Sequence, residues 1–304
     1  MDRIKIGIPK AFLYYKYQYL WEQFFEELDI DIEISNETNK STVEKGSNII
    51  VDESCLALKI FIGHVYELKD KCDYILIPRI ETLKKNEKVC TNFLALHDLC
   101  NTVFDINILE FNIDEEKGIK ELDAFIEIGK NLGISRFKTI KAYNKAKEYE
   151  KDILDSKILK QEIMIKDRRK KILIAGHSYN LYDEFIGKPI IKYLEESNIV
   201  TILSDLYKSN NNESLNISTD NYWTFNKELL SSIVHYKDSI DGIIIITSFP
   251  CGPDSLTNEM ITRKIKNIPI ITLVIDELNS NSGIITRLES FIDVIRLKRG
   301  EPIA

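Results

Sequence analysis

The chain is 304 residues long, 44% hydrophobic and 29% charged, with a formal net charge of −7 from 41 Lys and Arg against 48 Asp and Glu. That length predicts two domains of about 150 residues each, and 12 Gly and 7 Pro in so apolar a chain exclude a disordered or fibrous protein. The negative charge is spread along the chain and leaves no basic groove for nucleic acid, while the apolar runs at Ile243 to Ile246 and Ile268 to Ile275 fall far short of the roughly 20 residues a membrane helix needs.

The opening segment MDRIKIGIP reads as a strand and not as a signal peptide, so a cytoplasmic, reducing compartment is expected. Short β-branched runs then alternate with longer amphipathic stretches, the pattern of βαβ units. Strands are expected at Ile4 to Ile8, Ile30 to Ile34, Asn48 to Val51, Tyr74 to Ile77 and Val103 to Leu109. Between and after them, helices are expected at Ala11 to Leu28, Cys55 to Lys69, Phe93 to Cys100 and Glu115 to Leu132. The stretch from Phe137 to Lys170 is rich in Lys and Glu, lacks Gly and Pro, and predicts a long connecting helix or two. A second alternating block follows. It predicts strands at Ile172 to Ala175, Val200 to Leu203, Gly242 to Thr247 and Ile270 to Ile275. Its helices are expected at Glu184 to Glu196, Phe225 to Tyr236, Ser255 to Lys266 and Ile284 to Lys298, with a polar, Asn-rich loop from Ser209 to Asn221. The expected fold class is α/β: two Rossmann-like doubly wound domains with mainly parallel sheets, joined by a long helical connection. The domain boundaries are placed at 1–135, with Cys55 and Cys90, a connector at 136–170, and 171–304, with Cys251.

In open parallel sheets, ligands bind outside the carboxyl ends of the strands. Polar residues accumulate at those predicted ends: Lys10 after the first strand, Asp52 to Cys55 after the third, Pro78 and Arg79 with Cys90 in the loop beyond, and His177 to Asn180 and Ser248 to Asp254 in the second half. Three of the five cysteines, Cys55, Cys90 and Cys251, therefore fall on the expected binding face. Near helix N-termini a thiolate is favoured, and three thiolates suit three corners of a cubane iron–sulfur cluster with the fourth iron open. The gaps between them are wide, and packing as small hydrophobes is the alternative reading. Cys72 and Cys100 are assigned to packing. His64 and His97 read as core or interface residues, His177 as a ligand-contact candidate, and His235 carries no signal. The segment GHSYNLYDEFIG lacks G-x-G-x-x-G spacing, and there is no P-loop, G-x-S-x-G elbow or zinc-enzyme cluster.

The segments GIPKAFLYYKYQYLWEQFFEEL, VDESCLALKIFIGHV, DYILIPRIETL, VCTNFLALHDL, AGHSYNLYDEFIG, SFPCGPDSLTNEMI and IDELNSNSGIITRLESFIDVI, in this order, resemble the family related to 2-hydroxyacyl-CoA dehydratases and their activators, known as CoA-substrate-specific enzyme activase or dehydratase activase-related proteins. The resemblance runs from Gly7 to Arg296. It implies a two-domain Rossmann-like protein of anaerobic chemistry, with a [4Fe-4S] cluster on Cys55, Cys90 and Cys251, an acyl-CoA substrate and a separate ATP-dependent activator or electron donor as partners. This chain carries Ala57, Thr91 and Leu278 where the family pattern has Pro, Pro and His. The function expected is low-potential electron transfer or reductive dehydration, as a dehydratase-like or reductase component, with Lys10, Arg79, His177 and Asn180 lining the open iron. The alternatives are a non-catalytic cluster carrier or partner protein and a metal-free α/β binding protein. A homodimer is a further expectation.

Overall fold

In the computed structural model, which describes residues 4–208, 213–278, 281–298 and 300, the run KIGI forms β1 (Lys5–Ile8). It pairs in parallel with β2 (Asp31–Ile34) on one side and β3 (Tyr74–Thr82) on the other, and β3 pairs with β4 (Ile108–Asp114). The sheet order is β2-β1-β3-β4. The connections are α1 (Tyr14–Glu27), then α2 (Lys40–Ser47) with α3 (Leu56–Leu68), then α4 (Thr91–Val103). Beyond β4 follow α5 (Glu121–Asn131) and the 29-residue α6 (Arg136–Met164). The core is aromatic: Phe24 of α1 meets Phe125 of α5 with ring centroids 4.5 Å apart, and Phe111 of β4 packs edge-on to both Trp21 and Phe125, the tilted geometry that ring quadrupoles favour.

The second sheet repeats the first sheet's order in unrelated residues. β5 (Lys171–Ala175) lies between β6 (Val200–Leu203) and β7 (Gly242–Ser248), and β7 pairs with β8 (Ile270–Ile275), all parallel, in the order β6-β5-β7-β8. Its helices are α7 (Ser178–Leu181), α8 (Lys188–Glu196), α9 (Thr224–Tyr236), α10 (Gly252–Lys264) and α11 (Asn281–Lys298). Every residue of β7 is buried, as a strand flanked by strands and covered on both faces must be. Ile243, Ile245, Leu173 and Ile202 meet Leu230 and Ile233 of α9 in one core. The chain thus has the α/β class expected, as two doubly wound parallel sheets. It divides into two compact units, Met1–Ser156 with Tyr222–Thr224, and Lys157–Asn221 with Phe225–Ala304. Among the described residues no helix is long and apolar enough to cross a membrane.

Four local expectations are corrected. Residues 48–51 form no strand. They are the turn that ends α2, with the amides of Ile49 and Ile50 bonded to the Gly46 carbonyl. Helix α2 itself was not expected; it starts because the Asn39 side chain accepts from the amides of Ser41 and Thr42, at 2.9 and 3.2 Å. Its partner is α3, and the two touch backbone to backbone. A Cβ on Gly46 would stand 1.8 Å from the Lys59 carbonyl oxygen, and one on Gly63 would stand 2.1 Å from that of Thr42. Strand β3 runs on to Thr82, so Arg79 lies within a strand and not after one. The fourth strand begins at Ile108, because residues 101–103 complete α4. Finally, the helix expected from Glu184 to Glu196 starts only at Lys188, as α8, with Gly187 as its N-cap and Pro189 in its first turn, and the single turn α7 precedes it. Of the Asn-rich loop, residues 209–212 lie outside the described residues, and Glu213–Asn216 forms one 3-10 turn.

Candidate functional site

In each sheet, the connections that follow the two inner strands, β1 and β3 or β5 and β7, run in opposite directions, and such switch points form a crevice at the strands' carboxyl ends. The chemistry-bearing residues gather beside them.

In the first unit, Cys55 and Cys90 occupy the N-cap positions of α3 and α4 with extended backbone. Cys55 follows the turn after α2, not a strand as expected. Burial pushes its thiol up to about 11, and the neighbouring Cys90 adds to the effect; the amides of Leu58 and Ala57 and the side chain of Asn92 favour the thiolate and pull the other way. Asn92 Nδ2 donates to Cys55 Sγ at 3.5 Å. Between the two helices sits Phe12, in the loop after β1. Its ring lies 5.6 Å from Phe61 of α3 and 5.0 Å from Phe93 of α4, it is 3% exposed, and its backbone is left-handed at φ 48°. A bulky residue keeps that conformation only where packing over-determines it, so Phe12 fixes the relation between the two cysteine-bearing helices. Sequence reading missed it, since no residue type advertises a strained φ.

Cys100 is fully enclosed in α4, and burial raises its thiol to about 12. The half-buried Cys72 sets its sulfur against Gly7. Both are packing residues in the structure, as expected. Lys10 and Arg79 engage separate carboxylates: the Lys10 ammonium pairs with Glu37, and Arg79 Nη2 with Asp98 at 3.3 Å. His97 stands between Asp98 and Glu110, at 3.0 and 2.8 Å. His64 is sealed in α3, with Nε2 2.9 Å from Thr38 Oγ1 and its other nitrogen buried without a hydrogen bond. Burial, helped by Lys10, lowers it to about 3, so it is neutral.

In the second unit, Cys251 is the N-cap of α10, half-buried, just beyond β7. Three residues on, Asp254 turns its carboxylate inward to a polar network. His177 Nε2 lies 2.8 Å from Asp254 Oδ1; Asn226 Nδ2 donates to the same oxygen at 3.0 Å, and Thr247 Oγ1 to Oδ2 at 3.1 Å. Asp254 is 5% exposed and His177 9%. Burial alone would raise the carboxyl, but His177, Asn226 and Thr247 together hold it below its ordinary value. Asn180 is also buried there, accepting from Ser248 Oγ at 2.7 Å and donating to the Ile246 carbonyl. His177 and Asn180 therefore join the same strand ends, β5 and β7. Asp254, Asn226 and Thr247 are the members that sequence reading did not single out. Their partner lies up to 77 residues away in the chain, and only the parallel pairing of β5 with β7 brings them together.

Among the described residues no group of three or more His, Cys, Asp or Glu side chains is arranged to hold a metal ion. Two thiols at adjacent helix starts in the first unit and one at a helix start in the second are what the structure offers. No curated protein matches the sequence. Three solved structures superpose loosely over nearly the whole chain. A ZnuA is 10% identical over 97% of this chain and 99% of its own, with a TM-score of 0.30. The AdcAII protein of Streptococcus pneumoniae and the laminin-binding protein Lbp of Streptococcus pyogenes are each 11% identical over 99% of both chains, with TM-scores of 0.28 and 0.27. Likeness this slight bears on neither fold nor ligand. A family model described as the CoA enzyme activase uncharacterised domain (DUF2229) matches residues 5–206, which takes in Cys55, Cys90 and His177. The chain belongs to this CoA enzyme activase family.

Proposed function

We propose that the chain is an iron–sulfur component of CoA-enzyme activation, with Cys55, Cys90 and Cys251 as ligands of a [4Fe-4S] cluster. Its partners on this reading are an ATP-dependent activator or electron donor and an acyl-CoA dehydratase. The observation that supports it most is the pairing of Cys55 with Cys90 at the starts of two helices held by Phe12. Structural cysteines sink into cores as Cys100 does, whereas these two stand half-buried at the starts of two helices. Cys55, Cys90 and Cys251 would hold the cluster, which would supply low-potential one-electron chemistry when bound.

The chain's own residues have three tasks. Burial keeps the Cys55 thiol protonated in the metal-free protein, so loading must release that proton. Asn92 directs an amide N–H at the Cys55 sulfur, a contact of the kind that tunes a ligand's basicity. Phe12 holds the helix starts in register. Lys10, Arg79, His177 and Asn180 remain the residues assigned to the open side.

Anaerobic reconstitution with iron and sulfide tests the proposal. We expect a brown protein with about four irons and four acid-labile sulfides per chain. Cys90→Ala and Cys251→Ala should lose them, and Cys72→Ala should retain them. A colourless, iron-free wild-type chain after reconstitution overturns the proposal.

A further inference from the structure

The loop of residues 83–90 delivers Cys90 to the N-cap of α4, and its fixed point is Lys88, two residues before the thiol. Lys88 Nζ lies 3.4 Å from Glu81 Oε1, in β3, and 3.0 Å from Glu116 Oε2, beyond β4. Both backbone groups of Lys88 are taken by a segment far along the chain. Its amide donates to the Tyr222 carbonyl at 2.9 Å, and its carbonyl accepts from the Thr224 amide at 2.9 Å. The result is a parallel bridge between Lys88 and Trp223, outside the strands of both sheets. Tyr222, Trp223 and Thr224 belong to the first compact unit, whereas the chain on either side of them belongs to the second.

We propose that Tyr222–Thr224 is a releasable strap that controls access to Cys90. Attached to Lys88, it keeps the thiol half-buried; detached, it frees residues 83–90 and opens the sulfur to solvent. As a control on cluster loading this rests on the reading of Cys90 as a ligand, whereas the strap itself does not. Two hydrogen bonds at an isolated bridge open more readily than a ladder inside a sheet, which places the attachment among the least costly local openings of a fold. Tyr222 is 50% exposed, so little core burial reinforces those bonds on its side. Cys90 is the N-cap and ends the loop, so its position follows Lys88. Helix α4 is anchored separately, through Phe93 against Phe12 at 5.0 Å. Release of the loop therefore moves the thiol without undoing the helix.

The metal-free full chain serves as the test. Thr224 is the first residue of α9, where proline is tolerated, and its buried hydroxyl makes no hydrogen bond. Thr224→Pro thus deletes the amide bonded to Lys88 and little else. Alkylation of Cys90 by iodoacetamide, read by peptide mass spectrometry, and hydrogen exchange at the Lys88 amide should both rise about fivefold, the worth of one backbone hydrogen bond. Trp223→Gly, which loosens the same bridge, should act in the same direction. Thr224→Val keeps the amide and should match wild type. The enclosed Cys100 should stay unmodified throughout. A Cys90 rate unchanged in Thr224→Pro and Trp223→Gly overturns the proposal, and so does a Cys100 rate that rises in step with that of Cys90, the mark of global loosening. Should Thr224→Pro not fold, Trp223→Gly decides by the same two rates. These readouts use no iron, so they hold or fail independently of cluster binding.

Discussion

Burial governs the charge of His64. His64 has its folded value lowered to about 3 by burial and by Lys10, from an ordinary 6.5. The unfolded chain therefore binds a proton that the folded chain refuses. The stability associated with the neutral ring is complete above about pH 6.5 and is lost as pH falls from there toward about 3. The full effect is on the order of 5 kcal/mol. We predict that urea unfolding of the wild type loses about 2 kcal/mol or more between about pH 7 and about pH 4.5 through this residue, and that His64→Gln, which can still bond Thr38, flattens that limb. An unchanged acid limb in His64→Gln would show that His64 takes up its proton in the folded state. His64 was legible as a core residue from its apolar helix neighbours. Its lack of a second hydrogen-bond partner was not, because that depends on Thr38 and Lys10 from other segments.

Elements were legible where hydrophobic period and length agreed. The isoleucine runs of β7 and β8 can be little else in a parallel sheet. The apolar residues 48–51 fit a strand as well as any run in the chain, yet α2, polar and only 8 residues long, takes their place in the connection. What decides this is the contact of α2 with α3 through Gly46 and Gly63, a fact of shape that no periodicity carries. Gly63→Ala would drive a methyl to 2.1 Å from the Thr42 carbonyl oxygen, inside any allowed contact. The helices must part, at a cost of about 3 kcal/mol. Gly252→Ala, at the first position of α10, meets nothing within 4 Å and should leave stability unchanged or raise it by about 0.5 kcal/mol. Urea midpoints for the two variants check the contrast. A Gly63→Ala chain as stable as wild type would mean that the α2 and α3 backbones can separate at no cost.

At the scale of the whole molecule, two sheets share one strand order without a residue-level repeat between their sequences. Each has its own buried centre: rings of Trp21, Phe111 and Phe125 in one, aliphatic side chains such as Leu173, Ile243 and Ile245 in the other. Cores built of different side chains in separate sheets need not melt together, because two-state unfolding is a property of single small domains. We predict two calorimetric transitions for the metal-free chain. Ile245→Ala, at a site 1% exposed, should lower one of them and leave the other in place, because the truncation costs about 2 to 5 kcal/mol in a single core. Phe111→Ala should do the same to the opposite transition. A single transition lowered as a whole by both variants would show that the two cores unfold as one cooperative body.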